Sequence, residues 1–134
     1  MADLDIRITG LAELRRNFRR APQIGTKLFE RALIASLFAI EKQANDGNFQ
    51  FKTPRAQRTG YLGLSFKLPG ARSTKGLVGR IGPTAEYAPY VYFGTSRGIQ
   101  ANPYMDRIAK ASEPEVGKII ADAASQLASE IAKI

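Results

Sequence analysis

The sequence predicts an α+β domain: a small antiparallel sheet with a long central helix and a C-terminal helix packed on it. Three observations predict it. Runs at residues 3–9, 59–68 and 77–82 alternate apolar and polar side chains, the period of a strand. Residues 22–43 and 103–134 repeat apolar side chains at helical spacing instead. Clusters of Gly, Pro, Asn and Asp separate these runs. At 134 residues the chain suits one domain spanning 1–134, large enough to bury a core of its own.

In the first run Leu4, Ile6 and Ile8 alternate with Asp3, Asp5, Arg7 and Thr9, and Gly10 ends it. Leu11, Leu14 and Phe18 then share one face of a short helix. Its end is loaded with Arg15, Arg16, Arg19 and Arg20, where cations suit the helix dipole. Pro22 restarts the chain, since proline is tolerated in a first helical turn. The long helix that follows, to about Gln43, is apolar on more than one stripe through Ile24, Leu28, Phe29, Leu33, Ile34, Leu37, Phe38 and Ile40. A helix apolar on most sides must be covered on most sides. One face therefore belongs under the sheet, and the second is a candidate contact with a neighbouring subunit.

Asn45-Asp46-Gly47-Asn48 stops this helix. Residues 46–58 read as a mobile arm, with Phe49 and Phe51 beside Lys52, Arg55 and Arg58, and Pro54 blocking a helix. Such an arm orders against a partner. Thr59–Leu68 reads as a strand with Leu62, Leu64, Phe66 and Leu68 on one face. Pro69-Gly70 turns the chain, 71–76 form a polar tip carrying Arg72 and Lys75, and Leu77–Gly82 return. The whole is a basic hairpin over about 60–82.

Tyr87, Tyr90, Val91 and Gly94 recur at the spacing of a short helix, with Pro89 near its start and Gly94 as a positive-φ cap. The tail helix begins at Pro103. Ser112-Glu113-Pro114-Glu115 reads as a restart, with Ser as N-cap and Glu three residues on. Val116, Ile119, Ile120, Ala123, Leu127 and Ile131 continue its stripe.

The composition argues against most chemistry. The chain has neither Cys nor His, so it lacks thiolate nucleophiles, sulfur and imidazole metal ligands, and the usual neutral-pH proton carrier. Its glycines open no phosphate-binding helix. No enzyme activity, cofactor or metal is expected. The longest apolar run, Ala32–Ile40, falls far short of the ~20 residues of a membrane span. Acids stand where a signal peptide would be basic, so a cytosolic product is expected. Net charge is +8, and no acid lies between Asp46 and Glu86. That basic block needs an acidic partner or solvent. A nucleic-acid-binding protein using residues 52–80 is the second reading; its binding would weaken as salt rises.

The chain's densest aromatic stretch runs Tyr87-Ala88-Pro89-Tyr90-Val91-Tyr92-Phe93-Gly94-Thr95 and, after a short loop, Ala101-Asn102-Pro103-Tyr104. With Thr59-Gly60-Tyr61-Leu62 and Gly10-Leu11 upstream, it resembles the tail-completion and head–tail joining proteins of long-tailed bacteriophages. That family is typified by gene product ten of the lambdoid phage HK ninety-seven. Tyr92 stands where the family usually has Glu, and Gly63 where it often has Arg. The resemblance implies a minor tail protein of the virion's tail or neck, made in the host cytoplasm. It would form a homo-oligomeric ring, a hexamer, that joins head to tail or caps the tail tube. Its partners would be its own copies, tail-tube and head-connector proteins, and transiently the DNA in the channel. Residues expected at the interfaces are Phe49, Phe51, Arg55, Arg58, Arg72, Lys75, Tyr90, Tyr92, Phe93 and Tyr104.

Overall fold

A computed structural model describes residues 4–12, 22–45, 61–96, 98 and 101–132. In chain order the elements are β1 (Ile6–Ile8), α1 (Pro22–Asn45), α2 (Tyr61–Leu64) running into a 3-10 turn (Ser65–Lys67), β2 (Arg72–Lys75), β3 (Val78–Ile81), α3 (Ala88–Phe93) and α4 (Tyr104–Ala132). The architecture is α+β: a three-stranded antiparallel sheet with α1 and α4 packed on each other and α1 against the sheet.

The central strand is β3, with β1 and β2 at the edges. Ile6 pairs with Ile81 and Ile8 with Gly79 across one seam; Arg72 pairs with Ile81 and Thr74 with Gly79 across the other. Strand alternation puts these residues on the face toward α1 and sends Arg7, Ser73, Lys75 and Arg80 to the other. Gly79 lets the helix come close, because a Cβ there would lie 2.7 Å from Leu33 Cδ1.

The broad apolar stripe of α1 buries Leu28, Phe29, Ala32, Leu33, Leu37, Ile40 and Ala44. Ser36 is buried among them, and its hydroxyl is satisfied by donating to the Ala32 carbonyl at 2.7 Å. From α4, Tyr104, Met105, Ile108, Ala123 and Leu127 complete the core.

Three expectations change. The predicted strand at 59–68 is helical where described, as α2 and the 3-10 turn. Leu62 and Phe66 are buried while Leu64 and Leu68 are exposed, which is helical spacing and not alternation. The Ser65 hydroxyl fixes this piece: it donates to the Leu62 carbonyl at 2.7 Å and accepts the Thr84 N–H at 3.2 Å. Thr84 Oγ1 in turn donates to the Ser65 carbonyl at 2.8 Å. The hairpin is consequently shorter than 60–82. Residues expected at its tip form β2, and the chain reverses at Gly76-Leu77, where Gly76 has φ 59°.

The third change is the tail, where α4 runs unbroken from Tyr104 to Ala132 with Pro114 inside. Ser112 does not cap a new helix; its hydroxyl donates back to the Ala109 carbonyl at 3.1 Å. Proline removes one intrahelical hydrogen bond. Here Lys110, Glu113, Pro114 and Glu115 are all exposed, so the Lys110 carbonyl that loses its N–H donor lies on the solvent side of the helix, away from the packed face. The short helix expected after Gly10 is described only at Leu11 and Ala12, and the arm at 46–58 lies outside the described residues.

Candidate subunit interface

The aromatic stretch folds as one corner. Pro89 sits in the first turn of α3, and Gly94 caps it with φ 77°, its N–H donating to the Tyr90 carbonyl at 2.9 Å. The Asn102 N–H reaches back to the Val91 and Tyr92 carbonyls at 3.0 and 3.2 Å, which sets the start of α4 beside α3. Arg107 donates to the Asn102 side chain and steadies this return.

Three rings meet edge to face. Tyr92 lies 4.8 Å from Phe93 and 5.7 Å from Tyr104, both near perpendicular, a favourable arrangement for aromatic quadrupoles. The Tyr92 hydroxyl donates to Asp106 Oδ1 at 2.7 Å. That bond, then burial and the carboxylate's charge, holds its pKa above the ordinary value. Tyr104 is wholly buried, its hydroxyl donating to the Ala88 carbonyl at 2.8 Å. It is a core residue, not the surface contact expected from sequence: its ring is what α3 packs on.

Burial, then the charges Tyr87 and Tyr92 would carry, pushes the Tyr104 pKa above 10.0. The folded state holds this proton more tightly than the unfolded chain does. Its stabilising contribution is therefore complete below pH ~10 and declines as the pH rises beyond it. Tyr104→Phe should cost about 1 kcal/mol at neutral pH. It should also flatten the loss of stability above pH 10, as read by urea unfolding at pH 7, 9, 10 and 11. An unchanged alkaline slope would contradict this placement of Tyr104.

On the outside of the same corner stand Tyr87, Tyr90 and Phe93, with 41%, 60% and 59% of their surface exposed. They are three residues apart, so they form one ridge. A second apolar surface lies on α1. Ile34 and Phe38, about half exposed, occupy the helix face left uncovered beyond edge strand β2. The Arg72 guanidinium stands 4.2 Å over the Phe38 ring and 3.6 Å from Glu41 Oε2. Ile34, Leu37, Phe38 and residues 72–74 of β2 line a groove of about 320 Å³.

Of the residues expected at interfaces, Tyr90 and Phe93 stand on the ridge, and Tyr92 is half-buried beneath it. Arg72 belongs to the groove, while Lys75 is exposed at the end of β2. Phe49, Phe51, Arg55 and Arg58 lie outside the described residues. Ile34 and Phe38 are not in that set, though both belong to the excess apolar width of α1 that marked its second face as a candidate subunit contact. A wider cavity of about 410 Å³ lies against the sheet's outer side, where Asp5, Arg80 and Glu86 are among its lining residues. Among the described residues, no three His, Cys, Asp or Glu side chains are placed to hold a metal, and no helix is long and apolar enough to cross a membrane. The chain matches no protein-family model, no curated protein and no solved structure.

Proposed function

We propose that this protein is a structural component of a phage particle, acting at the head–tail junction or tail terminus as a ring that joins or caps the tail tube. The observation that carries the assembly reading is surplus apolar surface. A domain with a finished core still exposes Ile34, Phe38, Tyr87, Tyr90 and Phe93, in two separate patches. Isolated exposed apolar residues are ordinary, but clustered ones mark interaction surfaces. The phage assignment rests on the resemblance of residues 87–104 and 59–62, which also supplies the ring of six. Tail-tube and head-connector proteins are its proposed partners, with DNA in the channel as a transient anion.

Purified protein mixed with phage tail tubes should cap tube ends as rings visible by negative-stain electron microscopy. Its mass should rise from 14.7 kDa to that of a multimer. A chain that remains monomeric and leaves the tube ends bare would rule out this function.

One observation favours the second reading, a small nucleic-acid-binding protein. The sheet's outer face exposes Arg7, Lys75 and Arg80, with Arg7 directly opposite Arg80 across the strands. Asp5 engages Arg7 at 3.2 Å and offsets part of that charge. Filter binding to DNA at 50 and 200 mM salt separates the two readings, because phosphate-driven affinity collapses over that interval.

A further inference from the structure

The ridge on α3 and the groove beside α1 are different in kind. One is a convex row of rings; the other is a concavity with an apolar floor. None of Tyr87, Tyr90 or Phe93 lines the groove, so the two do not satisfy each other within one chain. Their surroundings also differ in sign. On α1, Arg31 and Lys42 extend the Ile34–Phe38 stripe at either end, both exposed. Arg72 engages Glu41, leaving Glu30 as the exposed acid on that rim. The ridge instead has Glu86 at its start and Asp106 under Tyr92, both exposed, with Lys110 a turn further along α4.

We propose that copies of this chain join head to tail, the Tyr90–Phe93 ridge of one copy seating in the Ile34–Phe38–Arg72 groove of the next. This deepens the ring reading above and rests on its premise that copies assemble with one another. The chemistry of the fit is specific. Arg72 already lies over one ring face, and an incoming aromatic would add a second ring to that cation. Phe38 offers its free edge to the same ring. Glu86 and Asp106 then approach the basic rim, which steers the encounter and disfavours ridge-to-ridge or groove-to-groove pairing. Contacts between two different patches are heterologous: they propagate from copy to copy and end only when the ring closes.

The test uses two full-length variants, Tyr90→Ser with Phe93→Ser on the ridge, and Ile34→Ser with Phe38→Ser on the groove. Sedimentation velocity of the wild type should show oligomers larger than a dimer that grow with concentration. Each variant alone should be monomeric where the wild type assembles, an affinity loss of about tenfold or more. Mixed one to one, the two variants should form a heterodimer and nothing larger, because each retains one half of the contact. Thermal melting checks that both fold; where a double variant does not melt as the wild type does, Tyr90→Ser and Ile34→Ser alone take its place. A wild type that stays monomeric, variants that assemble as the wild type does, or a mixture that fails to pair would each overturn the proposal. The outcome is separable from the phage assignment. Heterodimers from a protein that ignores tail tubes would leave the contact standing and remove the function. Capping by rings insensitive to these variants would do the reverse.

Discussion

Replacing Phe29 with alanine should lower the unfolding free energy by about 3–5 kcal/mol, the cost of removing a large buried ring and leaving a cavity. Phe29 is completely buried on α1, within the core that the sheet, α2 and α4 share. The surrounding elements approach from different directions and cannot all collapse into the gap. Against a total of 5–15 kcal/mol for a domain, that loss unfolds an appreciable fraction of the population on modest warming. The control is Phe38→Ala on the same helix. Phe38 is half exposed and held by a cation–π contact, so its loss should stay near 1 kcal/mol or below. Urea midpoints of the two variants, taken with their slopes, check both. Equal costs would mean that the core and the exposed face of α1 are not distinct.

The glycine after β3 should also be intolerant of change, for a different reason. A Cβ on Gly82 would sit 2.4 Å from the Leu4 carbonyl oxygen, which is backbone and has no rotamer to escape into. Gly82→Ala must therefore push the chain before β1 away from the end of β3. Overpacking of this kind costs about 1–3 kcal/mol, and more where backbone has to move. Amide hydrogen exchange should speed up in β1 before it does in α1. Two other glycines set the scale. Gly79→Ala meets the far end of Leu33, a side chain that can turn, and should cost less. Gly117, inside α4 with nothing within 4 Å of its would-be Cβ, should gain about 0.5–1 kcal/mol as alanine. Melting temperatures that failed to order Gly117→Ala above Gly79→Ala and Gly82→Ala would contradict this packing.

The helices were readable in the sequence wherever the apolar period was long. In α1, Leu28, Phe29, Leu33, Leu37 and Ile40 repeat often enough to exclude a strand. Pro89 and Gly94 bracket α3 with local chemistry alone. Residues 61–67 misled for the opposite reason. Leu62, Leu64, Phe66 and Leu68 alternate, but Leu62 and Phe66 are also four apart, and a short run satisfies both periods. What decides between them is the Ser65–Thr84 pair, two residues far apart in the chain. Strand β2, Arg-Ser-Thr-Lys, has no apolar residue to announce it and exists because β3 supplies its partner.

The candidate interface divides the same way. The ridge was visible because its rings are neighbours in sequence. The groove was not, because residues 34–38 and 72–74 come together only in the fold. Tyr104 was assigned to the surface because aromatic density alone does not say which ring is covered; its bond to Ala88 does.

The order of the elements along the chain also governs how the molecule comes off the ribosome. Strand β1 cannot find β3 until some seventy residues more have been made, a long loop by the usual measure of folding topology. Helix α1 is synthesised early, but its main packing partner is α4, whose 29 residues come last of the described elements. Leu33 and Leu37 wait for Gly79 of β3, and the side of α1 that meets α4 waits longer still, uncovered and open to chaperones or to a neighbouring nascent chain.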